Sequence, residues 1–99
     1  MSEIQVTSST LKSKADELEQ LNDQFKNAVS SLTDEERELR SQFEGEASDA
    51  FHNAFSSDIT QMNNFYNAIA QYVQKLRQIA DSYEKAESTN VDTATQRNY

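Results

Sequence analysis

Few residues in this sequence have the type and spacing that catalysis or metal binding demands. His52 is the single histidine, and Asp49 stands three positions before it, which puts the two on one face of a helix. A bundle metal centre of that kind repeats a Glu-x-x-His pair and adds further inward carboxylates, whereas this chain holds one pair. His52 therefore reads as an imidazole at the surface or rim of a packed face, and no metal or other cofactor is expected. The chain has no cysteine, which removes the thiolate nucleophile, the disulfide framework and the Cys-based zinc site together. Its one glycine cannot build a phosphate-cradling loop. Serines abound, but one His and no third group to orient it give no Ser-His-acid logic, and no strained turn is signalled. No catalytic residue is assigned, and the expectation is a protein that is not an enzyme.

Charge narrows the partners. The net charge is -8, from 9 basic and 17 acidic residues. A nucleic-acid binder clusters Lys and Arg against phosphates, and an anionic membrane surface repels carboxylates, so neither is expected. No window approaches the ~20 apolar residues of a membrane-spanning helix. The first residues, Met1 to Ser8, carry neither the basic nor the apolar region of a secretory signal, so export would use a route that reads something else. Leu, Ile, Val and Phe make up only 19 of the 99 residues, near the range of disordered chains. The arrangement of those few residues must therefore decide whether the chain folds.

The arrangement is regular. Leu11, Leu18, Phe25, Leu32 and Leu39 recur every seven positions, with Ala15, Leu21, Ala28, Val29 and Phe43 beside them. A second ladder, Phe55, Met62, Ile69, Leu76 and Tyr83, repeats the interval, flanked by Phe51, Ile59, Phe65, Tyr66, Tyr72, Val73, Ile79 and Ala80. Each is the stripe of an amphipathic helix made to pack on other helices. The aromatic series reads as packing rather than a cofactor box, with tyrosine hydroxyls at the rim. The acidic run from Asp34 to Glu38 reads as a solvated helix face.

One continuous helix is excluded by register. The first ladder extended from Leu39 reaches Glu46, while the second run back from Phe55 reaches Ser48. A slip of two is neither interruption that coiled coils absorb. Phe43-Glu44-Gly45-Glu46 is thus a hinge, with Gly45 able to supply the left-handed conformation that ends a helix and Glu44, Glu46 and Asp49 placed to start the next. Ala47, Ala50 and Ala54 would let the two backbones approach beyond the turn. The expected organisation is a lead-in over 1–7, capped by Thr7 or Ser8 and stapled by Ile4 or Val6 onto Leu11, helix 1 over about 8–43, a turn at 44–46, helix 2 over about 47–87 and a flexible tail over 88–99. The fold class is all-α, a hairpin of two long antiparallel helices. The stripes are wider than one facing helix can cover, so two hairpins are expected to dimerise into a four-helix bundle. Leu11, Leu18, Phe25, Leu32, Leu39, Phe55, Met62, Ile69 and Leu76 would form its core and dimer contacts.

About a hundred residues, an aromatic-x-Gly hinge near the middle and Tyr83-x-x-x-Glu87 late in the second helix together resemble the WxG family. These are the early secreted antigenic target-like substrates of type VII secretion, and the resemblance runs from Ile4 and Val6 to Glu87. Phe43 and Gly45 match the hinge motif, with Phe where the family has Trp and hence no indole N–H. Tyr83 and Glu87 match the export motif. The resemblance implies a homodimer, or a heterodimer with a sister hairpin, in which the Tyr83/Glu87 end of one subunit lies near the hinge of the other. It further implies recognition of that composite surface and the tail by the secretion ATPase and translocon, export of the folded dimer from a cytoplasmic pool, and a role as secreted effector or escort. The rival reading is an intracellular coiled-coil adaptor in which Tyr83 and Glu87 pair by accident.

Overall fold

The computed structural model describes the backbone of residues 6–97 and the side chains of residues 6–89. It contains two helices, α1 (Ser8–Gln42) and α2 (Glu46–Arg97), folded against each other in a rod of 83 × 23 × 22 Å. The long dimension is that of α2, since 52 residues at a rise of ~1.5 Å span close to 80 Å.

Each boundary has a local cause. Thr7 is extended, at φ -115° and ψ 163°, and caps α1. Its hydroxyl accepts from the Thr10 amide at 3.1 Å, while Thr10 Oγ1 accepts from the Thr7 amide at 3.0 Å. This reciprocal box satisfies an orphan donor of the first turn. Ile4 lies outside the described residues, and Val6 is exposed. At the other end α1 stops when Phe43 turns extended (φ -147°, ψ 150°). Gly45 follows at φ +116°, and its carbonyl accepts from the Asp49 amide at 3.1 Å. The glycine thus opens α2 instead of ending α1, and the turn is Phe43 to Gly45, one residue earlier than expected. Glu46 and Asp49 lie in the first turn of α2, where carboxylates oppose the helix dipole favourably. With no proline and no glycine after Gly45, nothing breaks the backbone at Glu87. α2 runs on to Arg97, through most of the segment expected to be a tail.

The two helices meet along a seam in which polar side chains interrupt an apolar row. On α1 the buried residues are Ser8, Ala15, Asn22, Val29 and Glu36, spaced by seven. The matching row on α2 is His52, Ile59, Tyr66, Val73 and Ala80, also spaced by seven and buried or half-buried. Polar and apolar layers alternate along it. Ser8 bonds Glu87, Asn22 Nδ2 donates to the Tyr66 carbonyl at 3.0 Å, and Glu36 meets His52 at 2.8 Å. Between these come the apolar layers of Ala15, Ala80, Val29 and Val73. Ala15 and Ala80 are wholly buried, so the close approach of the backbones is here. Ala47, Ala50 and Ala54 are exposed, because their spacing carries them off the seam.

Candidate functional site: an open apolar face between a hinge and a clasped end

Both apolar ladders sit three residues beyond the seam row, which is about 60° short of a full turn round each helix. In an antiparallel pair that rotation brings both ladders to the same side of the rod. Leu11, Leu18, Phe25, Phe55, Met62, Ile69 and Leu76 are half-buried there, whereas Leu32, Leu39 and Tyr83 are exposed. One residue before the seam row, on the same side, come Leu21, Phe51, Phe65, Tyr72 and Ile79, all exposed. Among the described residues, every large exposed apolar side chain of α1 and α2 therefore lies on one face. Phe65 is 56% exposed and Tyr72 57%, although Phe65 already packs edge-on against Phe25 across the helices, with centroids 5.5 Å apart. Phe51 and Phe55 stack along α2 at 6.1 Å. A soluble monomer seldom leaves so continuous an apolar surface uncovered.

The opposite edge is closed by charge. Lys12 meets Glu84 at 2.6 Å; Arg77 reaches Asp16 at 2.9 Å and Glu19 at 3.0 Å; Lys26 lies 4.7 Å above the Tyr66 ring. The hydrogen bond from Arg77 holds the Glu19 carboxyl below its usual range, and the bond from Lys12 does the same for Glu84. Glu84 in turn raises Lys12. These groups lie in water, where such pairs contribute little energy individually. They do give the rod two unlike sides.

At the hinge end, Phe43 and Gly45 line a shallow concavity of about 410 Å³ with Arg37, Arg40, Ser41, Glu44, Ser48 and Asp49. Arg40 spans the turn to Asp49 at 3.7 Å. His52 faces the seam: its Nδ1 is 2.8 Å from the buried Glu36 carboxylate and its Nε2 is 3.3 Å from Ser56 Oγ. It is thus a bridging seam partner, with its ring half-buried, and not a free rim imidazole. The chain Ser56–His52–Glu36 has the outline of an acid–base relay. Ser56 nevertheless sits mid-helix, where backbone N–H groups are spent on i−4 carbonyls and offer no oxyanion donors. The relay's evident effect is to satisfy a buried carboxylate. Among the described residues, no group of three or more His, Asp or Glu could hold a metal ion.

At the far end, Glu87 accepts from the Ser8 amide at 2.9 Å and from the Ser8 hydroxyl at 3.0 Å. Tyr83, one turn earlier, is exposed on the apolar face. The hinge pair and the Tyr83/Glu87 pair are at opposite ends of the hairpin, so one chain does not bring them together. Sequence reasoning missed Ser8, Asn22 and Glu36 because hydropathy is blind to polar residues. Their signal was the seven-residue spacing they share with Ala15 and Val29, three positions ahead of the leucine ladder.

No helix among the described residues is long and apolar enough to cross a membrane. Comparison with curated proteins and with solved structures returns no match. The family model WXG100, described as "Proteins of 100 residues with WXG", matches residues 3–88. With its helical hairpin, Phe43-Glu44-Gly45 hinge and Tyr83/Glu87 end, the chain belongs to the WXG100 family of small helical proteins secreted by type VII systems.

Proposed function

We propose that this protein leaves the cytoplasm folded, as an antiparallel dimer, and acts outside or at the cell surface as an effector or as an escort for a co-exported partner. The observation that carries the dimer is the apolar face. The hairpin closes its own seam with Ala15, Val29, Val73 and Ala80 between polar side chains, and leaves Phe51, Phe65, Tyr72 and Ile79 beside it, exposed. A second copy, or a sister hairpin with a like face, would cover that surface and complete a four-helix bundle. Laying the second copy antiparallel sets its Phe43/Gly45 hinge near the first copy's Tyr83 and Glu87. Those groups are otherwise separated by the ~50 Å length of α1.

The export step needs no chemistry from this chain. The type VII ATPase and translocon would read the composite end, and the later residues of α2 would add to what they grip. Secretion is tested by comparing culture supernatants with and without the system's ATPase. Loss of the protein from the supernatant without the ATPase is expected; absence from both supernatants would overturn the reading in favour of an intracellular adaptor, and unchanged release would overturn it in favour of another export route. Tyr83→Ala should abolish export while leaving dimer and helicity intact. Sedimentation at micromolar concentration should give twice the 11.3 kDa chain mass; a stably helical monomer would remove the dimer.

A further inference from the structure

The residues that face Glu87 give it a different part from Tyr83. Tyr83 lies on the ladder row and opens onto the apolar face, where a partner would meet it. Glu87 continues the seam row seven residues beyond Ala80 and is turned toward α1. One of its oxygens accepts from the Ser8 amide at 2.9 Å and the other from the Ser8 hydroxyl at 3.0 Å. Ser8 is the first residue of α1 after its Thr7 cap, so the carboxylate sits on the positive end of the helix and satisfies an amide with no partner inside it. One turn further in, Lys12 meets Glu84 at 2.6 Å. The free end of the hairpin, which has no turn to join it, is thus clasped by two contacts, and Ser8 itself is buried at 9% exposure.

We propose that Ser8 is a positioning residue for export. Its amide and hydroxyl clasp Glu87, and the clasp holds the end of the rod, with Tyr83 on it, in the form the secretion machinery reads. The proposal rests on the export reading above and deepens it: Glu87 acts by fastening the two helices, not as a charge offered to the machinery. Glutamate suits this part, because a carboxylate with two separate oxygens can take both Ser8 donors at once in charge-assisted bonds.

Three substitutions in the full chain, followed by secretion into the medium, separate these roles. Ser8→Pro removes both donors with little harm to the helix. Proline is favoured at the first helical position, and Thr7 before it already has the extended conformation, φ -115° and ψ 163°, that a following proline requires. Glu87→Gln keeps the clasp without the charge, since the amide oxygen accepts from the Ser8 N–H and the amide nitrogen donates to the hydroxyl. Glu87→Ala tests the export reading itself. Ser8→Pro and Glu87→Ala should each lower secretion about tenfold or more, the scale set by losing two bonds to a charged group. Glu87→Gln should lower secretion only about threefold, as its two bonds survive without their charge assistance. Hydrogen exchange at the first bonded turn of α1, Leu11 to Lys14, should accelerate in Ser8→Pro and Glu87→Ala well beyond Glu87→Gln, with dimer mass and overall helicity unchanged. Normal secretion of Ser8→Pro beside blocked Glu87→Ala would overturn the clasp and leave the export reading standing. Blocked Glu87→Gln would do the same, since the charge would then be what is read. Normal secretion of Glu87→Ala would overturn the export role of Glu87 and the clasp's part in it together.

Discussion

Gly45 carries the largest single-residue demand in the chain. Its φ of +116° is the one positive value among the described residues, yet a Cβ built there meets nothing within 4 Å. The demand is conformational and not steric. Gly45→Ala should therefore cost about 1–3 kcal/mol, the usual strain of an L-residue held in such a region, measured by denaturant unfolding. A D-alanine introduced by semisynthesis should cost less than the L-alanine, because the sign of φ suits it. The sequence marked Gly45 correctly as the hinge, through the two-residue slip between ladders. It could not tell which helix the glycine serves, because a positive φ is equally useful at the end of one helix and the start of the next. Glu36 makes a second residue-scale case. It is a buried carboxylate whose seam partner is His52, so His52→Ala leaves a buried acceptor stranded. A loss of about 1–3 kcal/mol is expected. The double variant with Glu36→Ala should recover part of it, and the coupling of the two changes is read from a double-mutant cycle.

Between the two helices, the ladders were legible and the seam was not. Leu, Phe, Ile and Met at seven-residue spacing announce themselves in any hydropathy reading, and they do line one side of the folded rod. The row that meets inside the hairpin holds Ser8, Asn22 and Glu36, which the same reading assigns to solvent. Only the pairing of one helix with the other shows that each polar side chain has a partner opposite it, Asn22 through its Nδ2 alone. The polar layers also fix the alignment. Sliding α2 by one heptad would set the Glu36 carboxylate against an apolar layer, with no His52 to meet it. The charged edge of the same pairing depends on pH. Glu19 and Glu84 have lowered pKa values through Arg77 and Lys12. Their contribution is complete above the ordinary carboxylate range and disappears as pH falls through the lowered values. Lys12 is raised, so its share is complete below the ordinary lysine range and is lost only as pH climbs through the raised value. Amide protection along α1 from Lys12 to Asn22 should accordingly hold across neutral pH and decline at both extremes, as hydrogen exchange over a pH series would record.

For the whole molecule the decisive property is that the rod has two unlike sides. Phe65→Glu places a carboxylate at the middle of the apolar face while leaving the seam untouched. It should convert the proposed dimer to a monomer in sedimentation, and the melting temperature should then no longer rise with protein concentration as linked folding and association require. Composition gave no hint of such an arrangement, since a chain with 26% charged residues looks evenly solvated. The charges are in fact unevenly placed: from Ala50 to Gln74 the only Asp, Glu, Lys or Arg is Asp58. Ionic strength should therefore pull the two sides apart in behaviour. Sodium sulfate near molar concentration shortens the reach of exposed charges to ~3 Å or less and would slacken the Lys12–Glu84 and Arg77–Glu19 edge. The same salt drives apolar surfaces together and would tighten whatever is seated on Phe51, Phe65 and Tyr72. In such a salt the proposed contact between copies should tighten while the charged edge of each rod slackens.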